Sequence, residues 1–389
     1  MKYLQSRSNN IEPIREYEEI KNKSSLRIKL GIDPTASDVT LGWYAILRML
    51  RKFQEAGHIA VLILGEFTAQ VGDPSGKSTT RTRIEYKDVD KYSKDVLNIV
   101  KDILLPDNLE IVSNNDWLSK LDISELMNLA SSTTLAQMME REDFSLRYSN
   151  NSPISLLEFF YPLYQGYDSV AVKADIEIGG SDQLWNLMMG REIQKYYNQT
   201  PQIAMTFPLL IGTDGQKKMS QSYDNYISIK DPPNDIFGKL MSIPDHAMWD
   251  YYLMLTDISL EEIDTYKENI ENNLVNPFKI KKELGIHILT ELYDENIAVS
   301  ASNDFEDITI GKNIPENIPT LKIPVNKLTH LPKVFVDNNI TKSTSEARRL
   351  IESKSVTIDG VLVDNLDINT ENIDGKILQI GKRRFFKIN

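Results

Sequence analysis

The chain has 389 residues, 41% hydrophobic and 26% charged, with a formal net charge of -12. That length exceeds one small core, and the balance is that of a soluble globular protein rather than a disordered one. The absence of cysteine excludes disulfides, thiolate metal sites and a cysteine nucleophile. The acidic balance argues against a non-specific nucleic-acid coat. No apolar run approaches the ~20 residues that span a bilayer, and the N-terminal segment lacks the apolar core of a signal peptide. A cytoplasmic protein without a membrane partner is therefore expected. The last sixty residues, from His330, differ electrically from the rest: ten basic against eight acidic residues, where the remainder has 34 against 48.

In chain order, Leu26–Ile32 reads as a strand ended by the turn Asp33-Pro34-Thr35. Trp43, Ile46, Leu47, Leu50 and Phe53 then recur at helical spacing, with Gly57 as a stop. The apolar run Ile59–Leu64 reads as a strand buried on both faces, so the three elements predict a βαβ unit with a parallel sheet. Ligands of such sheets bind at the carboxyl ends of the strands. Four turns are suited to that: residues 31–42, 65–81, 175–187 and 212–222. From Pro232 to Asp304 the pattern is helical, and Glu316–Pro324 reads as a linker. Near the end, SEARRLIES predicts a helix with Ser345 as its cap. VTIDGVLV predicts two strands about an Asp-Gly turn, and ILQIGKRRFFKI a hairpin.

Several motifs bear on chemistry. GDPSGKS (72–78) lacks the first glycine of a P-loop, because Val71 stands there. Its glycines beside Lys77 and Arg81 suit a polyphosphate or a tight turn equally. Tyr161, Gln165 and Asp168 fall at i, i+4 and i+7 on one helix face. A buried aspartate there needs a partner, so the face is either a solvated edge or a pocket for a hydroxyl. GGSDQ (179–183) is either a helix start capped by Ser181 or Asp182 or a place for a ribose or carboxylate. KKMSQS (217–222) is either an exposed charged loop or a flap that closes over phosphates.

Taken in order, the DPTA turn, GDPSGK, YxxxQxYD, GGxDQ and the KMS loop resemble those of the bacterial tyrosyl-tRNA synthetases of the shorter, non-zinc type, within the class I aminoacyl-tRNA synthetases. The stretches at 115–121, 138–144 and 381–385 extend the resemblance over essentially the whole chain. It implies a Rossmann-type parallel-sheet catalytic domain over 1–225, interrupted by a helical insertion near 120–165. It also implies a helical anticodon-type domain over 226–322 and a small αβ RNA-binding module over 323–389. By the same resemblance, Asp168 would meet the tyrosine phenol. Tyr161, Gln165 and Asp73 would hold the ammonium, and Lys29 would sit at the end of the first strand near the phenol. Gln183 and Gly180 would line the site, and Asp182 would hold the ATP ribose. Gly42, Trp43, Met219 and Ser220 would lie along the nucleotide. Thr35, Lys77, Arg81 and Lys218 would share the phosphate charge. The implied substrates are tyrosine, ATP with Mg²⁺, and tRNA bound through the last module, in a homodimer; no protein cluster for a metal is visible.

The chain also departs from this family. The HIGH signature falls on Thr40-Leu41-Gly42-Trp43, without either histidine, and KMSKS has become Lys218-Met219-Ser220-Gln221-Ser222. Neither Thr40 nor Gln221 carries positive charge. None of the four histidines, His58, His246, His287 and His330, is placed to substitute. In the last module Glu352, Asp359 and Leu362 stand where basic or polar residues are expected. Losing two hydrogen bonds to the departing pyrophosphate corresponds to ~3–6 kcal/mol, or roughly 10²–10⁴ in rate. Two functions follow: a tyrosine–tRNA ligase, or a tyrosine-binding paralogue with weak or no adenylation that serves a biosynthetic or regulatory role.

Overall fold

The computed structural model describes residues 1–74, 84–309, 318–323, 328–371, 373–381 and 384–389. Lys77, Arg81, parts of the expected linker at 316, 317 and 324, and Lys382 and Arg383 of the last hairpin lie outside the described residues. Met1–Asp231 with Ser242–Leu284 forms one compact unit, and Pro232–Met241 with Gly285–Asn389 another.

The first unit is built on a six-stranded sheet. Its strands are β1 (Asn10–Glu12), β2 (Arg27–Ile32), β3 (Ile59–Leu64), β4 (Leu109–Ser113), β5 (Ile176–Gly180) and β6 (Ile203–Phe207). They lie in the order β1-β6-β5-β2-β3-β4, all parallel except β1, which runs against β6. The run IAVLIL is buried along almost its full length, as its continuous apolar character predicts. The chain passes from β2 to β3 to β4 on one side, then returns to place β5 on the other side of β2. The switch between β2 and β5 splays the following turns apart and leaves a crevice at the strand ends.

Two crossover segments define that crevice. The helix Leu41–Glu55 connects β2 to β3, with Leu47, Leu50 and Phe53 fully buried. Trp43 and Ile46, on the same helix, face the crevice instead. Thr40 caps this helix by accepting a hydrogen bond from the Trp43 amide at 3.2 Å, an arrangement that contributes ~1 kcal/mol. The helix Leu156–Val172 precedes β5 and packs on the helix Leu184–Tyr196 that follows it. Ser155 and Glu158 form a reciprocal capping box at the start of Leu156–Val172. The region before it is helical, over Ile123–Ala130, Leu135–Met138 and Glu142–Ser149.

The second unit contains the five-stranded sheet β10-β9-β12-β13-β7. The ranges are β7 (Thr320–Leu321), β8 (Leu328–His330), β9 (Val356–Ile358), β10 (Val361–Leu362), β11 (Asp367–Asn369), β12 (Ile377–Ile380) and β13 (Arg384–Ile388). Strand β8 pairs with β11 apart from it. Asp359 and Gly360 both have positive φ, 46° and 79°, as a two-residue hairpin turn requires. The core of this unit gathers Leu331, Phe335, Ala347, Ile351, Val356, Leu378 and Ile388. The helix Thr344–Glu352 is capped by Ser343, which accepts from the Glu346 amide at 3.2 Å. Ser345 is therefore not the cap: the helix begins at Thr344, and Ser345 already lies within its first turn.

Candidate active site

A cavity of about 280 Å³ opens at the carboxyl ends of β2, β3 and β5. Among its walls are Thr35, Thr40, Gly42, Trp43, Asp73, Tyr161, Gln165, Asp168, Gly180, Asp182, Gln183, Lys218, Met219, Ser220 and Gln221. The four turns singled out by sequence thus converge on one space. No histidine lines it among the described residues. His58 is buried elsewhere against Phe53, and burial lowers its pKa.

Asp168 is the most constrained group. It is 4% exposed, and its carboxylate accepts from Trp117 Nε1 at 2.8 Å and Asn114 Nδ2 at 3.2 Å. Burial pushes its carboxyl up to about 7; Lys29 and the two hydrogen bonds oppose that rise, and Glu177 adds to it. Asn114 Nδ2 also donates to Thr68 Oγ1 at 3.0 Å, and Thr68 Oγ1 donates to Asp33 Oδ1 at 2.8 Å. Tyr161 completes this path by donating its hydroxyl to Asp33 Oδ2 at 2.9 Å. Asn114, Trp117, Thr68 and Asp33 have no periodic signal in the sequence. Asp33, Thr68 and Trp117 fall in stretches singled out by sequence, at 31–42, 65–81 and 115–121, whereas Asn114 falls in none.

A second network surrounds Asp73. Gln183 Nε2 donates to Asp73 Oδ2 at 2.9 Å, and Asn186 Nδ2 donates to Gln183 Oε1 at 2.9 Å. Arg141 donates to Asn186 Oδ1 at 3.0 Å and comes within 3.8 Å of Asp73 Oδ1. The four side chains close a ring, which Arg141 anchors through a bidentate pair with Asp143 at 2.7 and 2.9 Å.

Three placements differ from the sequence reading. Lys29 is the third residue of β2 rather than its end, because the strand runs on to Ile32. Its ammonium is fully buried, donating to the Gln165 carbonyl and Ser169 Oγ at 2.7 Å each and pairing with Glu177 at 2.9 Å. The two glycines of GGSDQ end β5 instead of opening a helix. Ser181 and Asp182 lie in a single 3₁₀ turn that has no side-chain cap. A Cβ at Gly180 would press on the side chains of Leu209 and Asp182.

The KMS loop folds across the opposite end of the cavity. Lys218 forms an ion pair with Asp182. The Met219 amide donates to the Leu210 carbonyl at 2.7 Å, and its side chain packs beside Gly42. Gln221 Nε2 donates to the Asp38 carbonyl at 2.9 Å. Thr40 bridges to Ser228, whose hydroxyl donates to Asp38 Oδ1 at 2.7 Å. The polar groups at two altered signature positions, Thr40 and Gln221, are thus engaged by the protein itself.

Residues 21–295 match the family model described as tRNA synthetases class I (W and Y), and residues 307–388 match the tyrosine–tRNA ligase SYY-like C-terminal domain. A doubly wound sheet with its site at the switch point and this match define a class I aminoacyl-tRNA synthetase. The tyrosine–tRNA ligase of Moorella thermoacetica is 42% identical over 363 residues, covering 93% of this chain and 88% of the relative. That of Thermotoga maritima is 42% identical over 369 residues, 95% and 92% of the two chains, and that of Aquifex aeolicus 41% over 383, 97% and 96%. The chain belongs to the tyrosine–tRNA ligase family. Among solved structures, a C-terminally truncated mitochondrial tyrosyl-tRNA synthetase of Aspergillus nidulans shares the fold, with a TM-score of 0.64 and 18% identity over 79% of this chain and 93% of that one. The tyrosyl-tRNA synthetase of Archaeoglobus fulgidus complexed with L-tyrosine does likewise, with a TM-score of 0.61 and 18% identity over 77% and 99%.

The raised pKa of Asp168 has a stability consequence of definite sign. The unfolded carboxyl ionises near 3.9, well below the folded value of about 7. The folded state therefore binds the extra proton between those values, and stability falls as pH rises through that window. In urea titrations, the stability of the parent relative to Asp168→Asn is expected to drop by a few kcal/mol between pH 4.5 and 7.5. A pH-independent difference would show that the carboxyl ionises normally.

Proposed function

We propose that this chain activates tyrosine with ATP and transfers it to tRNA, with the tyrosine side chain held at Asp168. The observation that carries the reading is a deeply buried carboxylate on the cavity wall, held by Trp117 and Asn114 with acceptor capacity to spare. A phenol hydroxyl supplies the missing donor. Phenylalanine would leave the carboxylate desolvated and one donor short, which is the basis of strong rejection. Tyr161, Gln165 and Asp73 hold the ammonium. The side-chain oxygen of Gln165 is buried and has no hydrogen-bond partner among the described residues, so an ammonium N–H would satisfy it. Gln183 and Gly180 line the substrate, and Asp182 takes the ribose once Lys218 turns from it toward the phosphates.

The tyrosine carboxylate attacks the ATP α-phosphate and displaces pyrophosphate; the terminal ribose hydroxyl of tRNA then attacks the tyrosyl carbonyl, loses its proton and displaces AMP. The protein contributes orientation and charge stabilisation. Mg²⁺ enters with ATP. Among the described residues no group of three or more His, Asp or Glu side chains could hold it, and no step is assigned to a protein-held ion. Thr35 and Lys218, with Lys77 and Arg81 outside the described residues, carry the phosphate charge in place of the signature histidines. A tyrosine-binding paralogue that does not charge tRNA is not favoured, because relatives covering nearly the whole chain are ligases.

A homodimer through the helical insertion is supported by its exposed apolar residues. Ile123, Met127, Leu135, Tyr148 and Leu156 are between 66% and 80% exposed, more than an isolated surface favours. The module over 323–389 is proposed to bind tRNA through the exposed Arg348 and Arg349 of its helix. No helix among the described residues is long and apolar enough to cross a membrane; a cytoplasmic site of action follows from the proposed role.

Four outcomes test this reading. In calorimetry, Asp168→Ala should abolish the preference for tyrosine over phenylalanine; equal preference in parent and variant would refute the pocket assignment. Restoring Thr40→His, Trp43→His and Gln221→Lys together should raise tyrosine-dependent pyrophosphate exchange by roughly 10²–10⁴, whereas an unchanged rate would mean the remaining groups suffice. Sedimentation should give twice the chain mass, and replacing Arg348 and Arg349 with alanine should weaken tRNA binding while sparing tyrosine. A monomer at micromolar concentration, or tRNA affinity unaffected by those changes, would count against the respective assignment.

A further inference from the structure

Lys29 and Glu177 face each other on adjacent strands, in register, with side chains 0% and 1% exposed. Removing two charges from water is expensive, and an apolar pair of the same volume is often as stable or more so. Such a pair in the sheet beneath a binding site therefore invites a role other than stability. Its hydrogen bonds indicate one. Glu177 Oε1 accepts from Gln165 Nε2 at 3.1 Å as well as pairing with Lys29. Glu177 Oε2 accepts from Ser169 Oγ at 3.2 Å and from Gln202 Nε2. Lys29 also donates to the main-chain carbonyl of Gln165.

An ionised carboxylate only accepts hydrogen bonds. It therefore admits the NH₂ end of the Gln165 amide and refuses the oxygen end. The Gln165 oxygen is left buried and without a partner among the described residues, on a residue that lines the cavity. With the amide reversed, the NH₂ would face the ligand and repel an ammonium. We infer that Glu177, held in place by Lys29, is a positioning residue that fixes the orientation of the Gln165 amide. Its carbonyl is thereby presented to the ammonium of the amino-acid substrate. The inference rests on the proposed placement of that ammonium at Gln165 and adds the group that enforces it.

The test compares tyrosine with 3-(4-hydroxyphenyl)propanoate, which lacks only the amino group, by calorimetry. The double variant Lys29→Met, Glu177→Met removes both charges together, so neither is left buried alone, and frees the Gln165 amide. It should lose on the order of tenfold or more in tyrosine affinity while binding the des-amino analogue within about twofold of the parent, and Gln165→Ala should behave alike. If Gln165→Ala weakens tyrosine selectively and the double variant does not, the positioning role is overturned and the ammonium placement stands. If both ligands weaken together in the double variant, the pair supports the pocket as a whole and the inference fails. If Gln165→Ala leaves tyrosine binding unchanged, the ammonium placement itself is wrong. A measurement independent of the variant's folding is neutron diffraction of the parent with tyrosine. It should find the Gln165 deuterons directed at Glu177; deuterons directed at the ligand would overturn the proposal.

Discussion

The burial of one carboxylate organises this molecule. Asp168 sits on the helix Leu156–Val172 at a point where almost no water reaches it. In that setting an isolated charge is prohibitively costly and the group protonates instead. Two donors from the segment after β4, Asn114 and Trp117, oppose that tendency. Asn114 then passes the connection to Thr68 after β3, Thr68 to Asp33 after β2, and Asp33 to Tyr161 on the helix that carries Asp168. The ends of three parallel strands are tied into one network by the need to satisfy one acid and its partners. A partly satisfied network of this kind would be worse than none, which explains why so many short turns are held so closely.

The nucleotide end follows a different logic. Where the family signatures place cations, this chain places an N-cap at Thr40, an aromatic ring at Trp43 and an amide at Gln221. Thr40 and Gln221, with Ser228 and Asp38, fasten the KMS loop to the turn after β2. Lys218, the cation that remains in the signature, is meanwhile held on Asp182. A phosphate ligand must compete with that carboxylate. The groups around Asp168 are already hydrogen-bonded in place.

Much of this was legible in the sequence, for identifiable reasons. The run Ile59–Leu64 and the spacing of Leu47, Leu50 and Phe53 reported burial directly, because periodicity reflects which face is covered. Tyr161, Gln165 and Asp168 were found by helical spacing, and they do share one wall of the cavity. The partners that make them work were not found. Asn114, Trp117 and Arg141 reach the site from loops and short helices, where no period marks direction. Glu177 lies between two isoleucines in a short buried strand, and its pairing with Lys29 depends on sheet register, which one strand cannot reveal. Neither Ser181 nor Asp182 caps a helix, and Ser343 rather than Ser345 caps Thr344–Glu352, because element ends depend on tertiary context more than on the capping residue.

The central claim is that a chain with an intact tyrosine end and a modified phosphate end still completes the ligase reaction. Esterification of tRNA by the unaltered protein, followed with radiolabelled tyrosine and ATP, tests it most directly. The account predicts tyrosyl-tRNA formation that needs ATP, proceeds slowly and does not occur with phenylalanine. Saturable tyrosine binding without any ester product, at enzyme concentrations sufficient for a single turnover, would contradict it.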